Sequence, residues 1–500
     1  MDSLIKEFYK DKTIFLTGGT GFLGKVVIEK VLRATEASRI YVLIRSKRGK
    51  SPQDRIDEWK TDPLFGVLLK TQTNALERIV PISGDCEEPD LGISAEDREL
   101  LKNEVQVVIH CAATVNFAEP LHKAVDVNTR ATQLMLNLAK EMSRIVGFVH
   151  VSTAFSNCVI PHILEQYYPD NLIAGADKVL PIRKICGDVL LDRMTSSLIG
   201  KFPNTYTYTK ALAEQVIQTE SEELPVCIFR PGAIVATNKE PMSGWIDNLY
   251  GPISMIYGCA IGVLRIIPTN KRFLQHIVPV DCCANCILAC AMQTAKESSE
   301  KRRRSLPPTI YNYVPHEQNT LTNKHFIETV YKHRYTCALE QALWYPFLHT
   351  TSFLWMFNLI AIFYHTLPGY AIDLVLRLRG QKPRMIKLYQ KVHKTMNALC
   401  FFGTGFWTYK TINTDRLWQS LSDEDKKHFE FDMRKFDWDD YFTRALIGMR
   451  VYMAKEDPSD ESIMRARKHM KRLERRHRVL QLCICICGIF IFKWLVGFYL

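Results

Sequence analysis

Two side chains four positions apart, Tyr206 and Lys210, can do proton chemistry together. On a helix, residues i and i+4 share a face, so the ammonium would lie beside the phenol, favour the phenolate and orient the ring. Such a phenol can hand a proton to a carbonyl oxygen while hydride arrives at the carbon. Thr153, just past the strand-like run Ile145 to Val151, would bring a hydroxyl to the same oxygen. The spacing YxxxK arises often by chance, and alone it marks a surface tyrosine. Tyr208 has no such partner, because its fourth neighbour is Leu212.

A hydride source is implied near the N-terminus. The apolar run Thr13 to Leu16 leads into Thr17-Gly18-Gly19-Thr20-Gly21-Phe22-Leu23-Gly24 and then into a helix-like stretch, Lys25 to Leu32. Gly18, Gly21 and Gly24 are in GxxGxxG register. That pattern allows a tight turn, a close approach of pyrophosphate to backbone, and close helix–strand packing, with free N–H groups facing the phosphates. Between a strand and a helix, the pattern predicts dinucleotide binding by Thr17, Gly18, Thr20, Gly21, Phe22, Leu23 and Gly24.

The elements that must carry these residues alternate. A buried-strand pattern, Arg39 to Arg45, ends 21 residues beyond Gly24. An acidic residue there would bind a ribose 2′-hydroxyl, but the sequence offers Arg45, Ser46, Lys47 and Arg48. Cations suit a 2′-phosphate, so NADPH is expected. Further strands are expected at Arg78–Asp85 and Val105–Ala113, bringing Asp85 and Cys86, then Ala112 and Ala113, to the cofactor. A helix from Asn128 to Lys140 precedes Ile145–Val151, and the Arg230-Pro231-Gly232 turn returns Pro231 and Gly232 to the same edge. His110 reads as a packed strand residue. Alternating strands and helices specify an α/β, Rossmann-type doubly wound parallel sheet. The interval between Thr153 and Tyr206 reads as an insertion near the substrate mouth or a surface subdomain. Trp245 to Pro268 would line an acyl channel or pack the sheet, and Val278-Pro279-Val280-Asp281 would start the domain's last helix.

Taken together, Thr17 to Gly24, His150-Val-Ser-Thr-Ala154, Tyr206 to Glu214 and Arg230-Pro-Gly232 resemble the extended short-chain dehydrogenase/reductase superfamily. Within it the chain resembles the alcohol-forming fatty acyl-CoA reductases of the male-sterility-protein type. The block Lys239-Glu-Pro-Met-Ser-Gly-Trp-Ile-Asp-Asn-Leu-Tyr-Gly-Pro252 and the region from about 355 to 447 discriminate this group. Gly19 stands where the family often has alanine, and Phe155 where it often has tyrosine. The resemblance implies reduction of a long-chain acyl-CoA to a primary alcohol through an aldehyde, with two NADPH and Thr153, Tyr206 and Lys210 as catalytic residues. Two rival readings are a membrane-bound sterol or lipid-ketone dehydrogenase with the same three residues, and a non-catalytic NADP(H)-binding scaffold.

The 500 residues suffice for two or three units. The expected division is a reductase domain at 1–335, a mainly helical domain at 336–450, a basic segment at 451–478 and a transmembrane helix at 479–500. A net charge of +12 gathered in local clusters, without an aromatic-interleaved basic groove, gives no support to nucleic-acid binding. Fifteen cysteines lack the regular framework of a secreted scaffold, and nothing before the first strand reads as a signal peptide, so cytosolic thiols are expected. Cys283 and Cys286 form a CxxC with no partner ligands at suitable spacing, so no metal is expected and Cys282, Cys283, Cys286 and Cys290 read as helix core. Lys301-Arg302-Arg303-Arg304 reads as a solvated loop rather than a localisation signal. Self-association is compatible with the sequence.

Val479 to Leu500 is interrupted only by Gln481 and Lys493 and can cross roughly 30 Å of hydrocarbon. Eight Arg and Lys residues between 465 and 478 precede it, which reads as a tail anchor with its flank in the cytosol, at the endoplasmic reticulum rather than the peroxisome. The stretch 341–372 contains no Asp, Glu, Lys or Arg. A single crossing there would put two basic segments in the lumen, and Pro368-Gly369 should break the run. A re-entrant or interfacial element is therefore expected.

Overall fold

The computed structural model describes residues 2–221, 224–299 and 307–499; the basic run Lys301–Arg304 lies outside them. The chain forms two compact units that interleave in sequence. One comprises 1–245, 276–320 and 406–436, the other 246–275, 321–405 and 437–500.

The first unit is built on seven parallel strands: β1 (Thr13–Thr17), β2 (Arg39–Ile44), β3 (Ile79–Ser83), β4 (Val107–His110), β5 (Gly147–Val151), β6 (Val226–Pro231) and β7 (Thr309–Tyr313). Their order is β7-β6-β5-β4-β1-β2-β3, every pair parallel. A parallel sheet covered on both faces needs continuously apolar strands, and every residue of β1, β4, β5 and β6 is buried. Helices α1 (Phe22–Ala34) and α4 (Val280–Ser299) pack together over one face, and α2 (Ala131–Glu141) and α3 (Thr205–Glu220) over the other. The strand order reverses between β1 and β4, which opens a crevice beyond their carboxyl ends.

Two local expectations change. The helix expected from Asn128 begins earlier, at Leu121, and passes through a π-helical turn at Val125–Arg130 before α2. Val278 and Pro279 are not helical: Ile277–Pro279 pairs with Ala233–Val235, and α4 begins at Val280. Cys282, Cys283, Cys286 and Cys290 are buried on α4. The interval after Thr153 folds into short helices at Ala176–Ile185, Asp188–Arg193 and Thr195–Ile199.

The second unit is mainly helical. A continuous helix, α5, runs Leu354–Leu378. Pro368-Gly369 does not break it, because a π-helical turn at Ile362–Thr366 resets the hydrogen bonding. Proline then falls in the first turn of the following segment, where its missing N–H is harmless. Helix α6 (Met385–Thr404) packs along α5, and α7 (Asp460–Tyr499) ends the chain. Both α5 and α7 are long and apolar enough to cross a membrane.

Candidate active site

The glycine loop has the shape its sequence predicts. Gly18 adopts φ +75°, and a Cβ there would lie 2.7 Å from the Ala112 amide nitrogen, so the loop presses against the chain after β4. A Cβ on Gly24 would lie 2.2 Å from the Gly18 carbonyl oxygen; only glycine lets α1 start this close to the turn. Gly21 precedes α1 without a side-chain cap, and no carboxylate occupies the helix's first turn. Thr20 is half-buried and Gly21 exposed, which leaves the uncapped N–H groups accessible to an anion. These features fit a dinucleotide pyrophosphate. Phe22 and Leu23 begin the helix, and the Phe22 ring stacks on the buried Trp245 at 5.4 Å.

Thr17 is fully buried, and its hydroxyl turns inward. His110 places Nδ1 2.7 Å from Thr17 Oγ1 and Nε2 3.2 Å from Thr132 Oγ1. Thr132 donates to the Asn128 carbonyl, so it accepts from His110 Nε2–H. Thr17 in turn donates to Nδ1 and accepts from the Ala112 amide at 3.2 Å. Burial, and to a lesser extent the Lys210 charge, push the His110 imidazole down to about 3. It stays neutral and clamps β4 to the end of β1, a packed residue as its sequence context suggests. Ala112 and Ala113 follow, half-buried, beside the loop.

At the end of β2, Arg45 Nη1 lies 3.3 Å from both Asp85 Oδ2 and Glu87 Oε1. Asp85 also accepts from the Glu87 amide. These partners are partly exposed, so the pairing is weak and exchangeable for a phosphate. Cys86 is buried, and burial pushes its thiol up to about 12. Pro231 closes β6. A Cβ on Gly232 would meet the His276 carbonyl oxygen at 2.5 Å, so close packing against that strand already requires glycine there.

Asn204 caps α3 by accepting from the Thr207 amide, and the helix carries Tyr206 and Lys210 one turn apart. Thr153 lies close enough to Tyr206 to act on its phenol, and the Tyr206 ring stacks on Phe117 at 5.8 Å. Burial raises the phenol to about 12, only partly offset by the neighbouring Thr153 hydroxyl. In the chain by itself the phenol is therefore held protonated, the reverse of the phenolate expected from its lysine neighbour. Lys210 does not counter that burial: it is itself buried, and its Nζ donates to the Val151 carbonyl at 2.7 Å. Burial lowers Lys210 to about 8, against the opposing pull of Cys111, Glu214 and Cys86.

Sequence spacing does not single out two groups that hold this arrangement. Asn128, on the π-helical turn, accepts from the Thr114 amide at 2.9 Å and donates to Thr209 Oγ1 at 2.9 Å, next to Lys210. Glu214, one turn beyond Lys210, accepts from Ser152 and Ser156 and pairs with Arg230. The spacing Tyr206, Lys210, Glu214 is visible in the sequence as a four-residue repeat, but nothing in that spacing marks Glu214 as the partner of Arg230.

Comparison with known proteins agrees with this geometry. The NAD-binding male sterility protein family matches residues 16–287, and a second male sterility protein family matches 364–456. Fatty acyl-CoA reductase wat of Drosophila melanogaster is 41% identical over 93% of this chain and 89% of its own. Fatty acyl-CoA reductase 1 of Homo sapiens is 36% identical over 94% and 89%. Among solved structures, the terminal R domain of the myxalamid PKS-NRPS pathway shares the fold at TM-score 0.57 and 19% identity, covering 89% of this chain and 92% of that one. The reductase domain of a Mycobacterium tuberculosis nonribosomal peptide synthetase does so at TM-score 0.54 and 15% identity, covering 90% and 96%. The glycine loop, the sheet order and these relatives converge on a nicotinamide-dependent oxidoreductase: the chain belongs to the fatty acyl-CoA reductase family.

Proposed function

We propose that this protein reduces long-chain fatty acyl-CoA to a primary fatty alcohol with NADPH, through an aldehyde, using Thr153, Tyr206 and Lys210. The observation that carries the reading is the buried Tyr206 phenol with Thr153, just past the carboxyl end of β5, close enough to act on it, and Lys210 one turn along the same helix. When bound by the glycine loop, with Arg45 near the 2′-phosphate, the nicotinamide supplies hydride. Everything else falls to the chain. Thr153 and Tyr206 present two hydroxyls to one substrate oxygen and stabilise the negative charge that grows there, first on the thioester and then on the aldehyde. Departure of CoA as a thiol separates the two steps. The phenol, raised to about 12, holds its proton at neutral pH and delivers it to the far more basic alkoxide. Lys210 anchors α3 to Val151 and keeps a positive charge beside the site below about pH 8.

The 341–372 region and the C-terminal helix add a lipid context. With α7 as a tail anchor, a water-insoluble product is released at a membrane surface, and the catalytic unit faces the cytosol with its thiols. The deciding experiment is detergent-solubilised protein with NADPH or NADH and a panel of acyl-CoAs, products analysed by mass. Alcohol from long-chain substrates, made faster with NADPH, is the expected result; absence of nucleotide oxidation with every acyl-CoA refutes the proposal.

A further inference from the structure

We propose that α5 lies in the plane of the membrane, embedded in the headgroup region of the cytosolic leaflet, as a second lipid contact that does not cross; this rests on α7 being the anchor. Helix α5 buries one narrow stripe, Phe357, Ala361, His365, Gly369 and Asp373, every fourth residue. Most of the remaining circumference is exposed and apolar. Trp355 is 65% and Phe363 61% exposed, and Leu359, Leu367, Tyr370 and Leu374 extend the same surface. A patch of this size on a helix marks an interaction site.

The stripe is covered by α6. His365 stacks on Tyr389 at 5.0 Å and meets His393 through Nδ1 and Nε2 at 3.0 Å. Asp373 accepts from the amides of Arg384, Met385 and Ile386 at 2.8, 2.8 and 3.0 Å, which caps the start of α6. Lys391 and Lys394 are exposed on α6 at the level of His365, the middle of α5. Were α5 to span, these lysines would be carried to mid-bilayer at roughly 2.5–3.5 kcal/mol each.

Depth also separates a spanning α5 from one lying in the interface. Phe347 lies 5.6 Å from the Tyr364 ring and 4.9 Å from the His477 ring. His477 immediately precedes the apolar part of α7, so an anchored α7 places it among the headgroups. Tyr364, near the midpoint of α5, is two ring contacts away, whereas the midpoint of a spanning helix lies about 15 Å deeper. Arg265 donates to the Tyr364 carbonyl at 2.8 Å, and its guanidinium lies 5.9–6.0 Å from the rings of Phe347 and Trp344. Aromatic rings mixed with a cation are characteristic of the membrane interface. Arg377, Arg379, Lys382 and Arg384, all exposed, follow the apolar surface and suit anionic phospholipid headgroups.

The test uses the full-length chain. Glycosylation-acceptor tags are placed after Gly380 and, separately, after Leu500, and the protein is translated with microsomes. Modification at the C-terminus but not after Gly380 is expected. Modification after Gly380 shows that α5 spans and overturns the proposal; an unmodified C-terminal tag defeats the anchor reading, and with it the depth argument. The protein is then placed in phosphatidylcholine–phosphatidylserine vesicles brominated either high or low on the acyl chain, and wild type is compared with Trp355→Phe. The fluorescence lost in the variant should be quenched more by the bromines nearest the headgroups. No quenching at either depth means that α5 does not touch lipid, and overturns the proposal.

Discussion

Glu214 and Arg230 face each other through two charge-assisted hydrogen bonds, Nε to Oε1 at 2.9 Å and Nη2 to Oε2 at 2.6 Å, with the arginine fully buried. The carboxylate also accepts from Ser152 and Ser156, and the guanidinium donates to the Leu164 and Gln166 carbonyls. One ion pair thus ties the end of β5, the helix bearing Tyr206 and the segment after Thr153 to β6. In the proposed mechanism it would act by positioning Thr153 against Tyr206.

Breaking this pair from one side leaves a buried charge alone. Arg230→Met should destabilise the protein by about 3–5 kcal/mol, since a buried ion pair that loses one partner costs more than the pair gains. Glu214→Gln keeps an acceptor for the two serines and should cost less. Denaturant unfolding of both variants checks the order; equal losses would mean that the pair is not the common anchor.

In the proposed mechanism Tyr206→Phe removes the proton donor and one of the two hydroxyls that meet the substrate oxygen. Turnover should fall by about 10²–10⁴-fold. Cofactor binding, which depends on the glycine loop, should stay within about twofold, or 0.4 kcal/mol. Acyl-CoA-dependent NADPH oxidation and a nucleotide fluorescence titration separate the two. A variant that keeps turnover removes the phenol from the mechanism, and a chain whose wild type shows no turnover is a scaffold.

Much of this site is legible without coordinates because its rules are local. Three glycines between a strand and a helix can be recognised from backbone sterics alone, and the +75° φ of Gly18 and the 2.2 Å that a Cβ on Gly24 would leave to the Gly18 carbonyl oxygen show those sterics at work. A helix period of 3.6 puts Tyr206 and Lys210 on one face. What is not legible depends on distant partners. The lysine's direction is set by a carbonyl on β5, 59 residues away, so its burial and its distance from the phenol's electrostatics cannot be read from spacing. Asn128 owes its position to a π-helical turn, which has no composition signal, and Pro368 survives inside α5 for a similar reason. The glycine at 232 reads as a cofactor contact from its motif, while the His276 carbonyl alone is enough to require it.

Cofactor choice should rest on Arg45. Its present partners, Asp85 and Glu87, are partly exposed carboxylates at 3.3 Å, so a bound 2′-phosphate can displace them with little loss. Arg45→Ala should raise KM for NADPH by about tenfold, some 1.4 kcal/mol, and leave KM for NADH within about twofold. Steady-state kinetics with each nucleotide at saturating acyl-CoA checks this. Equal effects on both would assign Arg45 to the loop's structure and leave the 2′-phosphate to other residues.

Burial lowers Lys210 to about 8, so its charge is present below that pH and disappears above it. If the charge supports catalysis, kcat/KM should fall with an alkaline limb near pH 8, well below the 10.4 or so of an ordinary lysine. Tyr206, raised to about 12, cannot produce that limb, because it stays protonated throughout. The same shift has a sign in stability. Between about 8 and the ordinary lysine value the unfolded chain binds more protons than the folded one, so this group makes folding more favourable as pH rises through that window. Activity and stability should therefore move in opposite directions above pH 8. Lys210→Met, which removes the titrating group, should abolish the stability rise whatever it does to turnover. A wild-type protein whose activity and stability fall together above pH 8 would assign the alkaline limb to unfolding and not to the lysine.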